Sequence, residues 1–252
     1  MSSDFVVSSM ELDDWMPLIE GRQVTCLVDG DRFNSSSKPG DTFQDIFENV
    51  GIVLNNEAKE ILVYSSKELL KKGFSHIQGS SLYKKNQLMP LDIPLGALLD
   101  EAIYLKGPTI VVNPGLEQKF FLKGEQISQV KHLAMLYLLC QQPKFYVLQD
   151  SQGVAMCLRK NGLQRVVAYL SQSQAESMLE DLSSGKGHLS LEVHRSRDLV
   201  NQLVEAKLDG MVIDYKLDSK IRLEKRDLER MQRLFERMPG VVSKVKNKLF
   251  KR

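Results

Sequence analysis

Apolar positions recur at helical spacing over residues 97–105 (Leu98, Leu99, Ala102, Ile103) and again over 198–206 (Leu199, Val200, Leu203, Val204), which predicts a helix in each place. Each is followed by a β-branched run, TIVV (109–112) and GMVID (210–214), that reads as a strand. After a turn, marked by NPG (113–115) in the first case, KFFL (119–122) and KIRL (220–223) return with strand character. Upstream, EILVYSSKELLKKG (60–73) and RVVAYLSQSQAESML (165–179) share another pattern: a strand, Ser-rich capping positions, then a one-sided helix. FYVLQD, GVAMCLRK and LQRVVAYL, separated by SQG and NG, predict an antiparallel meander feeding the second of those helices.

These paired patterns are an internal repeat. Shifted by 101 positions, residues 93–127 lie without a gap on 194–228, with Leu98 on Leu199, Val111 on Val212, Leu116 on Leu217, Lys119 on Lys220 and Leu122 on Leu223. Asn113 meets Asp214. The expected fold is α+β: two tandem copies of a small module, an antiparallel or mixed sheet with helices, joined by an apolar helix. That helix, 124–144, ends at Pro143, and its last apolar stretch, Leu133 to Cys140, has no polar face, so cover on every side is expected, between the modules. The organisation predicted is a first module over 20–142 including the linker helix, a second over 143–238, and a tail over 239–252.

The run LKGPTIVVNPGLEQKFFLKGEQI (105–127) resembles the signature of the SseB N-terminal domain family, and AKLDGMVIDYKLDSKIRLEKRDL (206–228) looks like a degenerate copy with Asp214-Tyr215 in place of Asn-Pro. The resemblance covers roughly 60–127 and 145–228; the first copy's opening meander (22–60) is hard to align. It implies tandem SseB-like modules in a bacterial, cytoplasmic accessory protein. The family is similar to proteins named for a serine-sensitivity phenotype, some linked to enhanced sulfurtransferase activity, and some members occur near secretion or toxin–immunity loci. No catalytic residue carries over. The signature turn Asn113, Pro114, Gly115 reads as structural, with Pro setting φ and Gly permitting a positive φ.

Composition removes other classes. The 252 residues are 42% hydrophobic and 26% charged, ordinary globular usage. Three cysteines, Cys26, Cys140 and Cys157, with no CxxC pair, point to a reducing compartment and away from a disulfide framework or structural zinc. The first twenty residues carry acids where a signal peptide has bases, and the longest apolar run, eight residues, falls far below the roughly 20 of a spanning helix.

Motifs for phosphate loops, zincins, hydrolase elbows and dinucleotide folds are absent. Gly185-Lys186-Gly187 lacks the preceding strand of a phosphate loop, and DGDRFN (29–34) lacks the glycine and last glutamate of a calcium loop. His188 and His194 share a strand face but have no third ligand, and His132 lies too far along its helix from Cys140 to act as its base. Cys157, in an apolar strand, reads as a small buried hydrophobe. No cofactor, no metal and no enzymatic activity are expected.

Charge is concentrated at one end. Residues 220–252 hold twelve Lys/Arg against four Asp/Glu, so that stretch is +8 and the rest of the chain −6. Leu228, Met231, Leu234, Phe235 and Met238 form a helical stripe that predicts the second module's closing helix, with Arg226, Arg230, Arg233 and Arg237 opposite. After Pro239-Gly240, the tail offers Lys244, Lys246, Lys248, Leu249, Phe250, Lys251 and Arg252 as a basic amphipathic contact. The expectation is a non-enzymatic adaptor or accessory protein that binds a protein partner through an exposed sheet edge or the groove between modules. The alternative is a peripheral membrane or nucleic-acid-associated protein acting through the tail.

Overall fold

The computed structural model describes residues 12–29, 60–78, 88–104, 108–183, 189–217 and 220–238, and the protein is α+β. Two compact units, Met1–Ala134 and Met135–Arg252, meet inside one continuous helix.

The first unit runs α1 (Leu12–Gly21), β1 (Gln23–Asp29), β2 (Glu60–Tyr64), α2 (Lys67–Gln78), β3 (Leu88–Pro94), α3 (Leu95–Tyr104), β4 (Thr109–Val112), β5 (Phe120–Leu122) and the start of α4 (Glu125–Gln141). Its five strands order as β3-β1-β2-β4-β5. Only β2 and β4 are parallel, in register Val63↔Val112. On one sheet face Leu69, Leu70 and Phe74 of α2 pack against Leu27, Leu62, Tyr64, Leu88 and Val111. The alternate residues Cys26, Ile61, Val63, Ile110 and Val112 point to the other face and are equally buried, as a sheet covered on both sides requires.

The second unit holds the rest of α4, then β6 (Lys144–Asp150), β7 (Cys157–Lys160), β8 (Leu163–Tyr169), α5 (Gln172–Ser183), β9 (Leu189–Arg195), α6 (Ser196–Glu205), β10 (Gly210–Ile213), β11 (Ile221–Glu224) and α7 (Lys225–Arg237). Its order β9-β6-β8-β10-β11 repeats the first unit's, again with one parallel pair, Ala168↔Ile213. Equivalent residues pair alike: Thr25↔Tyr64 in one, Tyr146↔Tyr169 in the other. Two similar modules are consistent with this match. β7, paired with β8, is described in the second unit, and residues 30–59 of the first lie outside the described part.

Local chemistry explains the ends. Ser66 Oγ accepts the Leu69 amide at 3.2 Å and Ser171 Oγ accepts that of Gln174 at 3.4 Å, so both Ser-rich junctions cap a helix. Asn161 and Gly162, at φ 54° and 76°, close the two-residue hairpin that the NG dipeptide predicts. The periodicity missed α1, whose LDDWMPLIEG holds a proline.

The linker helix departs from expectation in one respect. Ile127 and Val130 are buried in its first half and Leu136, Leu139 and Cys140 in its second, yet Leu138 is 48% exposed. Cover on every side is therefore not what this helix has. Its apolar residues change direction along its length, so no single polar stripe emerges in the sequence. By contrast α7 buries Leu228, Met231, Leu234 and Phe235 on one side, as predicted, and a capping box between Glu224 and Asp227 starts it.

Candidate functional site

Sheet edges are where a fold can meet other chains, because an outer strand presents amides and carbonyls that its own sheet leaves unpaired. The edges β5 and β11 span three and four residues, too short to hold much. β3 and β9 span seven each and pair along their whole length with β1 and β6.

Which amides point outward follows from parity. Leu95 N donates to Arg22 O at 2.9 Å, so odd residues of β3 face β1 and the even ones, Leu88, Pro90, Asp92 and Pro94, face out. Ser196 N donates to Pro143 O at 3.3 Å, which turns Leu189, Leu191, Val193 and Arg195 of β9 outward. Two of the four outward positions on β3 are prolines and donate nothing. β9 has none. The first module's long edge is thus blunted and the second's left open, and among the described residues β9 pairs with β6 alone.

The side chains along β9 give the edge a character. Leu191 packs into the core against α5, whereas Val193 on the same face is 53% exposed. On the opposite face Ser190 and Glu192 are exposed and His194 is half-buried, its Nε2 3.0 Å from Gln149 Nε2. An added strand would meet an apolar position at Val193 and a carboxylate at Glu192, so it suits a β-branched residue opposite the first and a base opposite the second.

The signature turn has a role that the sequence pattern shows only in part. Gly115 has φ 78°, as expected, but Asn113 is also left-handed at φ 53° and only 4% exposed. Its Oδ1 accepts the Ser65 amide at 3.0 Å and the Ser65 hydroxyl at 3.2 Å, tying the end of β4 to the junction before α2. In the second module Asp214 (φ 54°) accepts the Leu170 amide at 3.1 Å in the equivalent place. The copy that looked degenerate keeps the geometry, because Asn and Asp tolerate left-handed backbone and carry the same acceptor. Tyr64 Oη donates to Pro114 O at 3.1 Å, while Tyr169 Oη, also buried, has no partner among the described residues.

Two of the three thiols, Cys26 and Cys140, are buried and poor nucleophiles. Burial pushes Cys26 far above the ordinary thiol range and Cys140 up to about 12. Cys157 is half-buried instead of buried, with Sγ 3.4 Å from Ala155 O. At neutral pH Cys157 should alkylate first and the other two more than about tenfold more slowly, through opening of the fold. Peptide mass spectrometry after timed labelling reads this, and equal rates for Cys26 and Cys157 would contradict the packing.

His188 and the tail residues Lys244, Lys246, Lys248, Leu249, Phe250, Lys251 and Arg252 lie outside the described residues. No three His, Cys, Asp or Glu side chains converge as metal ligands among the described residues. An open cleft of about 450 Å³ lies beside Leu163, Asp209, Glu224 and Lys225. Two of its carboxylates are engaged, Asp209 by the Gln164 amide at 2.7 Å and Glu224 by Arg165 at 2.7 Å. No described helix is long and apolar enough to cross a membrane.

No protein-family model matches the chain, and no curated protein matches it. Among solved structures, Anabaena Tic22 (protein transport) is similar over 78% of this chain and 87% of that chain, at 11% identity and a TM-score of 0.23, too low to carry an argument about fold or function.

Proposed function

We propose that this chain is a tandem SseB-like accessory protein of the cytoplasm that acts without catalysis, by taking an extended segment of a partner protein onto β9. One observation carries the reading: the two modules share a strand order, and the long edge that prolines blunt in the first is proline-free in the second. The exposed Val193 and Glu192 give that edge a side-chain preference.

The test is affinity capture from the native cell with wild-type protein, the 1–238 truncation, Val193→Pro and Arg195→Pro. Arg195 already has φ −62° and occupies the place of Pro94, so proline fits there without strain. Both substitutions remove an outward amide that makes no bond within the sheet, so thermal unfolding should change little. A stoichiometric partner kept by the truncation and weakened about tenfold or more by Val193→Pro, the worth of one or two backbone hydrogen bonds, supports the reading. A partner indifferent to both prolines, or no stoichiometric partner at all, overturns it.

A further inference from the structure

The outward amides and carbonyls of β9 belong to Leu189, Leu191, Val193 and Arg195, and its two faces carry different chemistry. On the face that packs against α5 through Leu191, Val193 is left 53% exposed. On the other face the exposed Glu192 stands two residues from His194. Gln149 donates a side-chain N–H to His194 Nε2 at 3.0 Å, which leaves the imidazole proton on Nδ1. Against an antiparallel copy of itself this strand has few registers, because outward residues must oppose outward residues for their backbone groups to meet. A register centred on Glu192 opposes two carboxylates, which is unfavourable. One centred on Leu191 sets Glu192 against Ser190 and leaves His194 beyond the paired stretch. Registers centred nearer either end overlap too little of the strand. The register centred on Val193 sets the exposed valine on its own copy, places Glu192 opposite His194 on both sides of the axis, and lays the Arg195 stem over Leu191.

We infer that β9 pairs with β9 of a second copy of this chain, antiparallel and centred on Val193. The inference rests on the open edge of the proposed function and adds what covers that edge in the absence of a partner. Pairing from Leu191 to Arg195 satisfies the outward groups of three residues on each chain, roughly six hydrogen bonds. Glu192 and His194 form non-hydrogen-bonded pairs, the class whose side chains lie closest, so each imidazole N–H has a carboxylate across the axis. The contact uses the same patch on both copies and therefore closes at two. Pro90 and Pro94 deny the first module's long edge an equivalent pairing, which keeps the assembly to β9. A partner's extended segment then enters by displacing the second copy, and the dimer sets a threshold concentration for that exchange.

The test is sedimentation equilibrium of the purified full chain up to about 100 μM, where a reversible dimer is expected. Val193→Pro removes the two central amide donors and should weaken it about tenfold or more. Glu192→Lys sets a base against His194 and His194→Glu sets a carboxylate against Glu192, so each alone should weaken the dimer about fivefold or more. Mixed in equal amounts, these two variants should associate with each other about as tightly as wild type, because the introduced lysine then faces the introduced glutamate and the native Glu192 faces the native His194. Thermal unfolding shows which variants are folded, and Val193→Pro with Glu192→Lys decides the matter if His194→Glu is not. A chain that stays monomeric, a dimer indifferent to Val193→Pro or Glu192→Lys, or folded variants that fail to rescue each other would overturn the inference. A monomeric chain that still captures a partner through β9 would sink the dimer alone, whereas a dimer with these sensitivities and no captured partner would sink only the proposed function.

Discussion

Gly210→Ala is expected to destabilise the second module by about 3 kcal/mol or more, lowering its melting temperature by roughly 12–24 °C. Gly210 opens β10 at φ +153°, a backbone conformation closed to L side chains, and a Cβ there would stand 2.0 Å from the Leu223 carbonyl oxygen. The obstacle is backbone on the neighbouring strand, which cannot rotate away as a side chain would. The strand also bridges two partners, with Gly210 paired to Arg165 on β8 and to Glu224 on β11. Those two partners are themselves joined, the buried Arg165 guanidinium reaching Glu224 at 2.7 Å. A methyl group would push β11 away and lengthen that contact. The position in the first module is Thr109, half-buried and paired with Glu60, so the requirement for glycine is local to the second copy. Thermal unfolding together with hydrogen exchange would show the effect: amides of β8 and β10 lose protection first, and those of β2 and β4 keep theirs. A variant melting within one degree of wild type would mean that β11 shifts at little cost and that the close approach is not a constraint.

The periodicity of the chain made most of this architecture legible. Helices α3 and α6, the strands after them and the capped junctions at Ser66 and Ser171 are set by local patterns that survive in both copies, and the offset of 101 residues carries β3 through the start of α4 onto β9 through α7. What stayed hidden depends on pairing. Whether an amide of β9 faces inward or outward is decided by the register with β6, and the meaning of the prolines at 90 and 94 emerges only once β3 is seen to be an edge. Asp214 looked like a lost signature residue because a motif compares letters, whereas the fold requires an acceptor on a left-handed residue. Leu138 escaped prediction for a similar reason, since an all-apolar run does not say which of its residues the core takes.

The second large effect belongs to that acceptor. Asn113→Ala should cost about 2–4 kcal/mol, combining the strain of an alanine held left-handed with a Ser65 amide deprived of its partner. The structure separates the two contributions. Asn113→Gly relieves the backbone and removes only the hydrogen bonds at 3.0 and 3.2 Å, so it should fall between wild type and alanine, and Asn113→Asp should lie within about 1 kcal/mol of wild type. The reciprocal set at position 214 should rank the same way, with Asp214→Asn mild and Asp214→Ala severe, since the Leu170 amide is held at 3.1 Å by the same geometry. Urea unfolding of the six variants gives the ranking. Alanine and aspartate equally damaging at 113 would place the role of this residue outside its acceptor oxygen, and the equivalence of the two turns would fail. The predicted order makes the junction one device present in both modules. It fastens the carboxyl end of a parallel strand to the start of the helix that covers the sheet, and so secures the layer against which β3 and β9 hold their edges.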